Sequence, residues 1–202
     1  MKLDPEAALL DGLAPRQVRS LRSYAELLEN RGVSGGLVAR GDSGRIWPRH
    51  VLDSLRALPC LRPSDRRVID VGSGAGLPGI PLAVAVPRLS VVLLEARTRR
   101  VAFLELASSR LDLPNVTIEH GRAESTAVRA QVCLARALAP LPAAWELCAP
   151  LLEPGGRLVY FAGRRFVERD VGGIREAGVR AEICAGSLFP GYGPLVIMQL
   201  DS

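Results

Sequence analysis

Apolar positions in the first third of the chain recur at helical spacing. From Ala14 to Glu29, Val18, Leu21, Ala25 and Leu28 share one face of a predicted helix. Asn30-Arg31-Gly32 ends that pattern, with Gly32 as the expected cap. Ser34 to Gly44 is glycine-rich and predicts a loop. Ile46 to Leu58 predicts a second helix, with Pro48 tolerated in its first turn. Leu61-Arg62-Pro63-Ser64-Asp65 breaks the periodicity.

Beyond that break the rhythm changes to short apolar runs alternating with helical stretches. Strands are expected at Val68 to Val71, Val91 to Glu95, Val116 to Glu119, Val132 to Leu134, Arg157 to Phe161, Val179 to Ile183 and Leu195 to Leu200. Helices are expected at Gly79 to Val86, Thr98 to Leu111, Pro142 to Leu151 and Arg165 to Ala177. Such alternation implies a doubly wound parallel sheet, and the nearly continuous apolar strands imply that both faces are covered. Only Ala185 to Pro194 separates the last two strands, too little for a helical crossover, so they are expected to form an antiparallel hairpin. The expected fold class is α/β, and seven mostly parallel strands with an antiparallel terminal hairpin and added N-terminal helices resemble the Rossmann-like, class I methyltransferase sheet.

The length of 202 residues suits one domain with a small appendage. Residues 1–62 read as an N-terminal helical extension and residues 63–202 as one compact unit. Hydrophobic residues make up 48% and charged residues 23%, which argues against a disordered chain. Aromatics are only 4%, so the core must be aliphatic. No apolar run reaches the ~20 residues of a membrane helix. The start, Met1-Lys2-Leu3-Asp4-Pro5-Glu6, lacks the layout of a signal peptide. Cys60, Cys133, Cys148 and Cys184 show no CxxC spacing, and His50 and His120 are the only histidines. These features argue against a zinc site, exclude a secreted disulfide scaffold and point to a reducing cytoplasm. The net charge of +5 is compatible with nucleic-acid binding and equally with a generically basic protein, since Lys2 is the only lysine among 26 basic residues.

The candidate chemistry lies at Asp70-Val71-Gly72-Ser73-Gly74-Ala75-Gly76, directly after a predicted strand. Glycines there let the backbone approach a ligand at the carboxyl end of the sheet. A dinucleotide fingerprint requires glycine at position 77, where Leu77 stands, and no GK[ST] follows for a phosphate loop. Glu95, at the end of the second strand, is placed to accept hydrogen bonds from ribose hydroxyls, as an acid also does in nicotinamide enzymes. The combination of D-x-G-x-G-x-G with this acid favours S-adenosylmethionine. Asp70 is as compatible with holding loop amides as with touching the ligand.

Gly72 to Pro81, GSGAGLPGIP, resembles the signature of the bacterial RsmG family, also called glucose-inhibited division protein B. Arg49-His50-Val51-Leu52-Asp53-Ser54-Leu55 resembles the RH-x-x-DS-L helix of that family, and Arg100 to Leu104 and Arg136 to Leu141 resemble two further segments. The resemblance runs from about residue 16 to the C-terminus. It implies methylation of guanine N7 in the decoding-region loop of 16S ribosomal RNA, free or in the small ribosomal subunit particle, with S-adenosyl-L-methionine as methyl donor; a monomer is expected. Gly72 and Leu77 then match cofactor contacts of the first loop, with Gly74 a further cofactor-binding candidate there, Glu95 matches the ribose acid, Ala123 and Glu124 the pair near the adenine, and Arg136 the arginine beside the methionine end or the acceptor. Arg49, His50, Arg97, Arg164 and Arg165 are the candidate RNA contacts. No metal and no membrane are expected.

Guanine N7 exposes a lone pair and loses no proton on methylation, so no general base is expected and the catalytic residues stay unassigned. Neither a DPPY-type tetrapeptide nor a convincing cysteine nucleophile is present; Pro59-Cys60 precedes the glycine loop. His50 and Asp53, three apart on a helix face, read first as packing the N-terminal piece against the loop. Two stretches depart from the family pattern: Gly35 to Arg40 replaces its N-L-T element, and Ala162-Gly163 replaces its Lys-Gly, leaving Arg164 or Arg165 to stand in for the lysine. The alternatives are a methyltransferase for another RNA or a small molecule, and a non-catalytic RNA-binding or ribosome-assembly factor. A nicotinamide dehydrogenase is more distant still.

Overall fold

A computed structural model describes residues 5–163, 165–167, 169–176, 178–184 and 192–200. Its strands are β1 (Arg67–Val71), β2 (Ser90–Glu95), β3 (Val116–His120), β4 (Ala130–Arg136), β5 (Leu152–Phe161), β6 (Val179–Cys184) and β7 (Leu195–Leu200). They form one seven-stranded sheet in the order β3-β2-β1-β4-β5-β7-β6. The first five strands run parallel, and β7 pairs antiparallel with both β5 and β6. The expected terminal hairpin is therefore present, with β7 inserted between β5 and β6. The chain winds outward in both directions from the β1–β4 pair, so the carboxyl ends of those two strands diverge into a crevice.

The helices are α1 (Pro5–Leu10), α2 (Pro15–Leu27), α3 (Asp53–Leu55), α4 (Gly79–Ala85), α5 (Thr98–Arg110), α6 (Leu141–Cys148) and α7 (Arg169–Glu176). Alternate residues of the central strands enter opposite cores. Val68, Val91, Leu93, Val132, Leu134 and Val159 join the core under α2, α4 and α5. Ile69, Val92, Leu94, Cys133, Ala135 and Leu158 join the core under α6 and α7. This period of two, buried on both sides, is why the strands read as continuous apolar runs. Leu21, Tyr24, Leu28, Leu52 and Leu55 of the N-terminal region belong to the first of these cores.

Several boundaries differ from the sequence expectation. Ile46 to Leu58 is not one helix: a π-helical turn spans Trp47–Leu52, α3 adds one turn, and a 3₁₀ turn at Leu58–Cys60 carries Pro59. Gly32 does not cap α2. The chain continues into a π-helical turn over Leu28–Gly32 capped by Val33, which keeps right-handed backbone angles. Gly32 instead allows close packing, since a Cβ there would lie 3.1 Å from Leu28 Cδ2. The α6 region ends earlier than expected because Pro150 lies in a separate 3₁₀ turn, Ala149–Leu151. The helix expected from Arg165 begins at Arg169; Arg165 sits in a turn, and Ala177 lies outside the described residues.

Candidate active site

The glycine loop leaves β1 and leads into α4. Gly72, Gly74 and Gly76 all adopt positive φ, at 70°, 59° and 90°. A Cβ on Gly76 would fall 2.5 Å from Ile80 Cδ1, so this residue is fixed by packing as well as by conformation. Under the loop, Asp70 is 1% exposed and its Oδ2 accepts a 2.9 Å hydrogen bond from the Gly79 amide. Burial raises its pKa to about 7, against the pull of the Gly79 amide and of Arg136. Asp70 thus holds the start of α4 and does not line the crevice.

Glu95 ends β2 with its carboxylate 4% exposed. Its Oε2 accepts from the Gly74 amide at 2.9 Å, and its Oε1 accepts from the Arg97 amide at 2.9 Å. Arg100 Nη1 lies 3.5 Å from Oε2. The carboxylate therefore ties β2 to the loop, and the longer Arg100 contact is the one that a hydroxyl could most readily replace.

A cavity of about 580 Å³ opens where the β1 and β4 ends diverge. Gly72, Ser73, Gly74, Ala75 and Leu77 form one wall, and Ala137, Tyr160, Phe161, Ala162 and Gly163 form another. The N-terminal segment closes a third side with Leu37, Val38, Ala39, Asp42, Arg49, His50, Asp53 and Arg56. Ala137 adopts φ 52° at this wall, an uncommon angle for a residue with a side chain.

The polar lining is a connected chain of charges. Asp42 receives Arg49 Nε on Oδ1 at 3.0 Å and His50 Nε2 on Oδ2 at 2.9 Å. Arg136 Nη2 stands 3.3 Å from His50 Nδ1. A guanidinium only donates, so Nδ1 accepts and Nε2 carries the proton given to Asp42. Burial, and then the Arg136 charge, lower the His50 pKa, which favours this neutral form. Arg136 also reaches Asp53 Oδ2 at 3.0 Å and donates to the carbonyl oxygens of Arg49 and His50. Asp53 Oδ1 takes Arg56 Nη1 at 2.6 Å, and Arg56 Nη2 donates to the Gly193 carbonyl at 2.8 Å.

Of the residues singled out from sequence, Gly72, Gly74, Leu77, Arg49, His50 and Arg136 line this cavity together. Glu95 stands behind the loop rather than in the wall. Ala123 and Glu124 lie in a 3₁₀ turn after β3 and are not among the described lining residues. Arg97 is exposed at the start of α5, Arg165 is exposed in its turn, and Arg164 lies outside the described residues. His50 and Asp53 face Arg136 at the end of β4 rather than the glycine loop, which corrects the contact expected for them. Sequence reading missed Asp42, Arg56 and Tyr24, each of which looks like an ordinary helix or loop residue. Cys60 is outside the lining, and burial first of all pushes its thiol up to about 12, so it is a poor nucleophile.

Among the described residues, no cluster of three or more His, Cys, Asp or Glu is placed to hold a metal ion, and no helix is long and apolar enough to cross a membrane. A profile of the GidB family, rRNA small subunit methyltransferase G, matches residues 17–170. A ribosomal RNA small subunit methyltransferase G of Acidothermus cellulolyticus is 49% identical over 142 residues, which are 70% of this chain and 64% of that protein. Its namesake from Mycobacterium leprae is 44% identical over 145 residues, 69% of this chain and 58% of that protein. The chain spans less than two thirds of the length of these relatives. Among solved structures, an O-methyltransferase of Thermotoga maritima matches with a TM-score of 0.55 at 20% identity, covering 74% of this chain and 65% of that one. A precorrin-6y C5,15-methyltransferase of Geobacter metallireducens matches with a TM-score of 0.54 at 16% identity, covering 72% and 85%. The fold is that of the class I methyltransferases.

Proposed function

Because the chain belongs to the GidB family of rRNA small subunit methyltransferase G, we propose that it methylates N7 of a guanine in the decoding-region loop of 16S ribosomal RNA, using S-adenosyl-L-methionine. The observation that carries this reading is the glycine loop, with three positive-φ glycines, forming one wall of a 580 Å³ cavity at the divergence of β1 and β4. A cavity of that size is in the range that takes a small-molecule cofactor. The chain acts as a monomer on naked RNA or on the small-subunit particle, in the cytoplasm, with residues 1–62 as an extension of the methyltransferase unit.

In this reading Gly72, Gly74 and Leu77 contact the cofactor through the loop, Glu95 faces its ribose hydroxyls, and Ala123 and Glu124 flank its adenine. Arg136 stands beside its methionine end. S-adenosylmethionine, when bound, supplies an electrophilic methyl group. Guanine N7 has a lone pair and no proton to lose, so the chain needs no general base. Consistent with this, Asp42, His50 and Asp53 are all engaged with arginines or with each other. The work left to the protein is alignment of acceptor and donor, a term worth ~7–11 kcal/mol in well-oriented reactions. Arg49, His50, Arg97, Arg164 and Arg165 are the residues assigned to RNA, chiefly by phosphate contact.

The test incubates the purified chain with labelled S-adenosylmethionine and small-subunit particles lacking the modification, and maps the label by cleavage at N7-methylguanine. A single labelled guanine in the decoding-region loop is the expected result. Cofactor binding without transfer to particles or naked RNA overturns the enzymatic reading for those substrates and favours a non-catalytic assembly factor or another acceptor.

A further inference from the structure

Helix α2 lies across the unit made by the glycine loop and α4, and it touches that unit at both ends. The Tyr24 hydroxyl, fully buried, donates a 2.6 Å hydrogen bond to the Ala75 carbonyl. Two helical turns earlier, Gln17 Nε2 donates to the carbonyls of Val84 and Ala85, both at 2.8 Å. Those two carbonyls belong to the last turn of α4, where a helix lacks internal partners. Gln17 is itself held, since its Oε1 accepts from the Ala14 amide at 2.8 Å. Residues seven apart on a helix share one face, so one side of α2 supplies both contacts.

The Ala75 contact matters because of its surroundings. Ala75 stands between Gly74 and Gly76, both at positive φ. Flanking glycines make rotation of a peptide group cheap, so side-chain sterics do not decide its orientation. Hydrogen bonds decide it instead. The Gly76 amide donates to the Ser73 carbonyl at 2.7 Å, and the Ala75 carbonyl is held by Tyr24. The Gly74 amide is separately bound by Glu95. Ala75 lines the cavity, so the orientation of this peptide shapes the wall. Burial, and next the nearby Asp70 carboxyl, keep the Tyr24 phenol protonated and able to donate.

We propose that Tyr24, with Gln17 as its second point of attachment, is a positioning residue that sets the shape of the glycine loop and thereby the affinity of the site for its nucleoside cofactor. The N-terminal helix is then part of the cofactor site, although it touches only the outer side of the loop. This inference rests on the reading of Gly72–Gly76 as the cofactor loop.

Isothermal titration of the full chain with S-adenosylmethionine tests it. Tyr24→Phe keeps the ring and leaves one buried carbonyl without a donor. It is expected to weaken cofactor binding about tenfold, with the far-ultraviolet dichroism and the affinity for RNA unchanged. Leu28→Val, a truncation on the same buried N-terminal face, serves as the structural control. It is expected to lower the melting temperature without moving the cofactor Kd. Tyr24→Phe binding within twofold of wild type, or Leu28→Val shifting the Kd equally, overturns the inference. Gln17→Ala keeps the phenol and frees the end of α4 and the Ala14 amide; if Tyr24→Phe does not fold, a cofactor Kd for Gln17→Ala equal to that of wild type overturns it as well. Absence of binding by the wild-type chain overturns the reading of the loop itself, a result distinct from the others.

Discussion

Arg136 and Asp53 meet in a 3.0 Å ion pair that joins the end of β4 to the N-terminal segment. Both side chains are largely buried, and Asp53 divides its two oxygens between Arg136 and Arg56. One carboxylate thus bridges two guanidinium groups at the wall of the cavity, and the trio keeps a net positive charge. Arg136 is held from several sides, which gives it a defined orientation toward anything bound there.

Asp53→Asn removes that charge and leaves two arginines facing each other. Breaking a buried pair in this way is expected to cost about 3 kcal/mol, read as a shift in the urea midpoint. Methyl transfer is expected to fall together with it, because Arg136 loses its anchor. Unchanged stability would show that the pair is not a structural tie.

Asp70 gives a pH signature. Its pKa is raised from 3.8 to about 7 in the folded chain, so folding favours the protonated form. The stabilisation is complete below about pH 4 and drains away as pH climbs toward 7. The full difference is worth up to about 4 kcal/mol. Asp70→Asn keeps an acceptor for the Gly79 amide and cannot ionise. Denaturant unfolding across pH 4 to 8 is expected to show the variant gaining on wild type as pH rises; parallel curves would contradict it.

His50 acts in the opposite direction. Its pKa is lowered from 6.5 by burial and by Arg136, so the unfolded chain takes up the proton first as pH falls. Stability is therefore lost below about pH 6.5 until the folded histidine also titrates. Protonation at Nδ1 also breaks the contact with Arg136. His50→Gln is expected to flatten the acid limb of the stability profile. A limb as steep as that of wild type would assign the effect to another group.

Gly76→Ala places a Cβ against Ile80 on a backbone with φ 90°. The combined strain is expected to cost about 1–3 kcal/mol and to abolish measurable cofactor binding at micromolar ligand. Thermal unfolding and isothermal titration check the two effects separately.

Glu95→Ala frees the amides of Gly74 and Arg97 at once. Loss of charge-assisted bonds of this kind is expected to weaken S-adenosylmethionine binding by at least about tenfold. A Kd equal to that of wild type would remove Glu95 from the cofactor site.

All seven strands were legible in the sequence: the central ones because burial on both faces leaves uninterrupted apolar runs, and the edge strands β3 and β6 because one apolar face leaves an alternating pattern. The glycine loop and Glu95 were legible for a related reason. A turn that needs positive φ requires glycine locally, and Glu95 closes an apolar run that marks the end of its strand; that its carboxylate holds the Gly74 and Arg97 amides was not legible. The region from Ile46 to Cys60 was only partly legible, since single π and 3₁₀ turns are too short for their different residue spacing to show in an apolar pattern. What only the tertiary structure decided is the partnership of residues far apart in the chain: Tyr24 with Ala75, Asp53 with Arg136, His50 between Asp42 and Arg136. Hydrophobic periodicity fixes which face of an element is buried, but not the rotation and depth at which one element meets another. Those are set by packing of the whole core, and hydrogen bonds and ion pairs of the site form only where that packing brings donor and acceptor within about 3 Å.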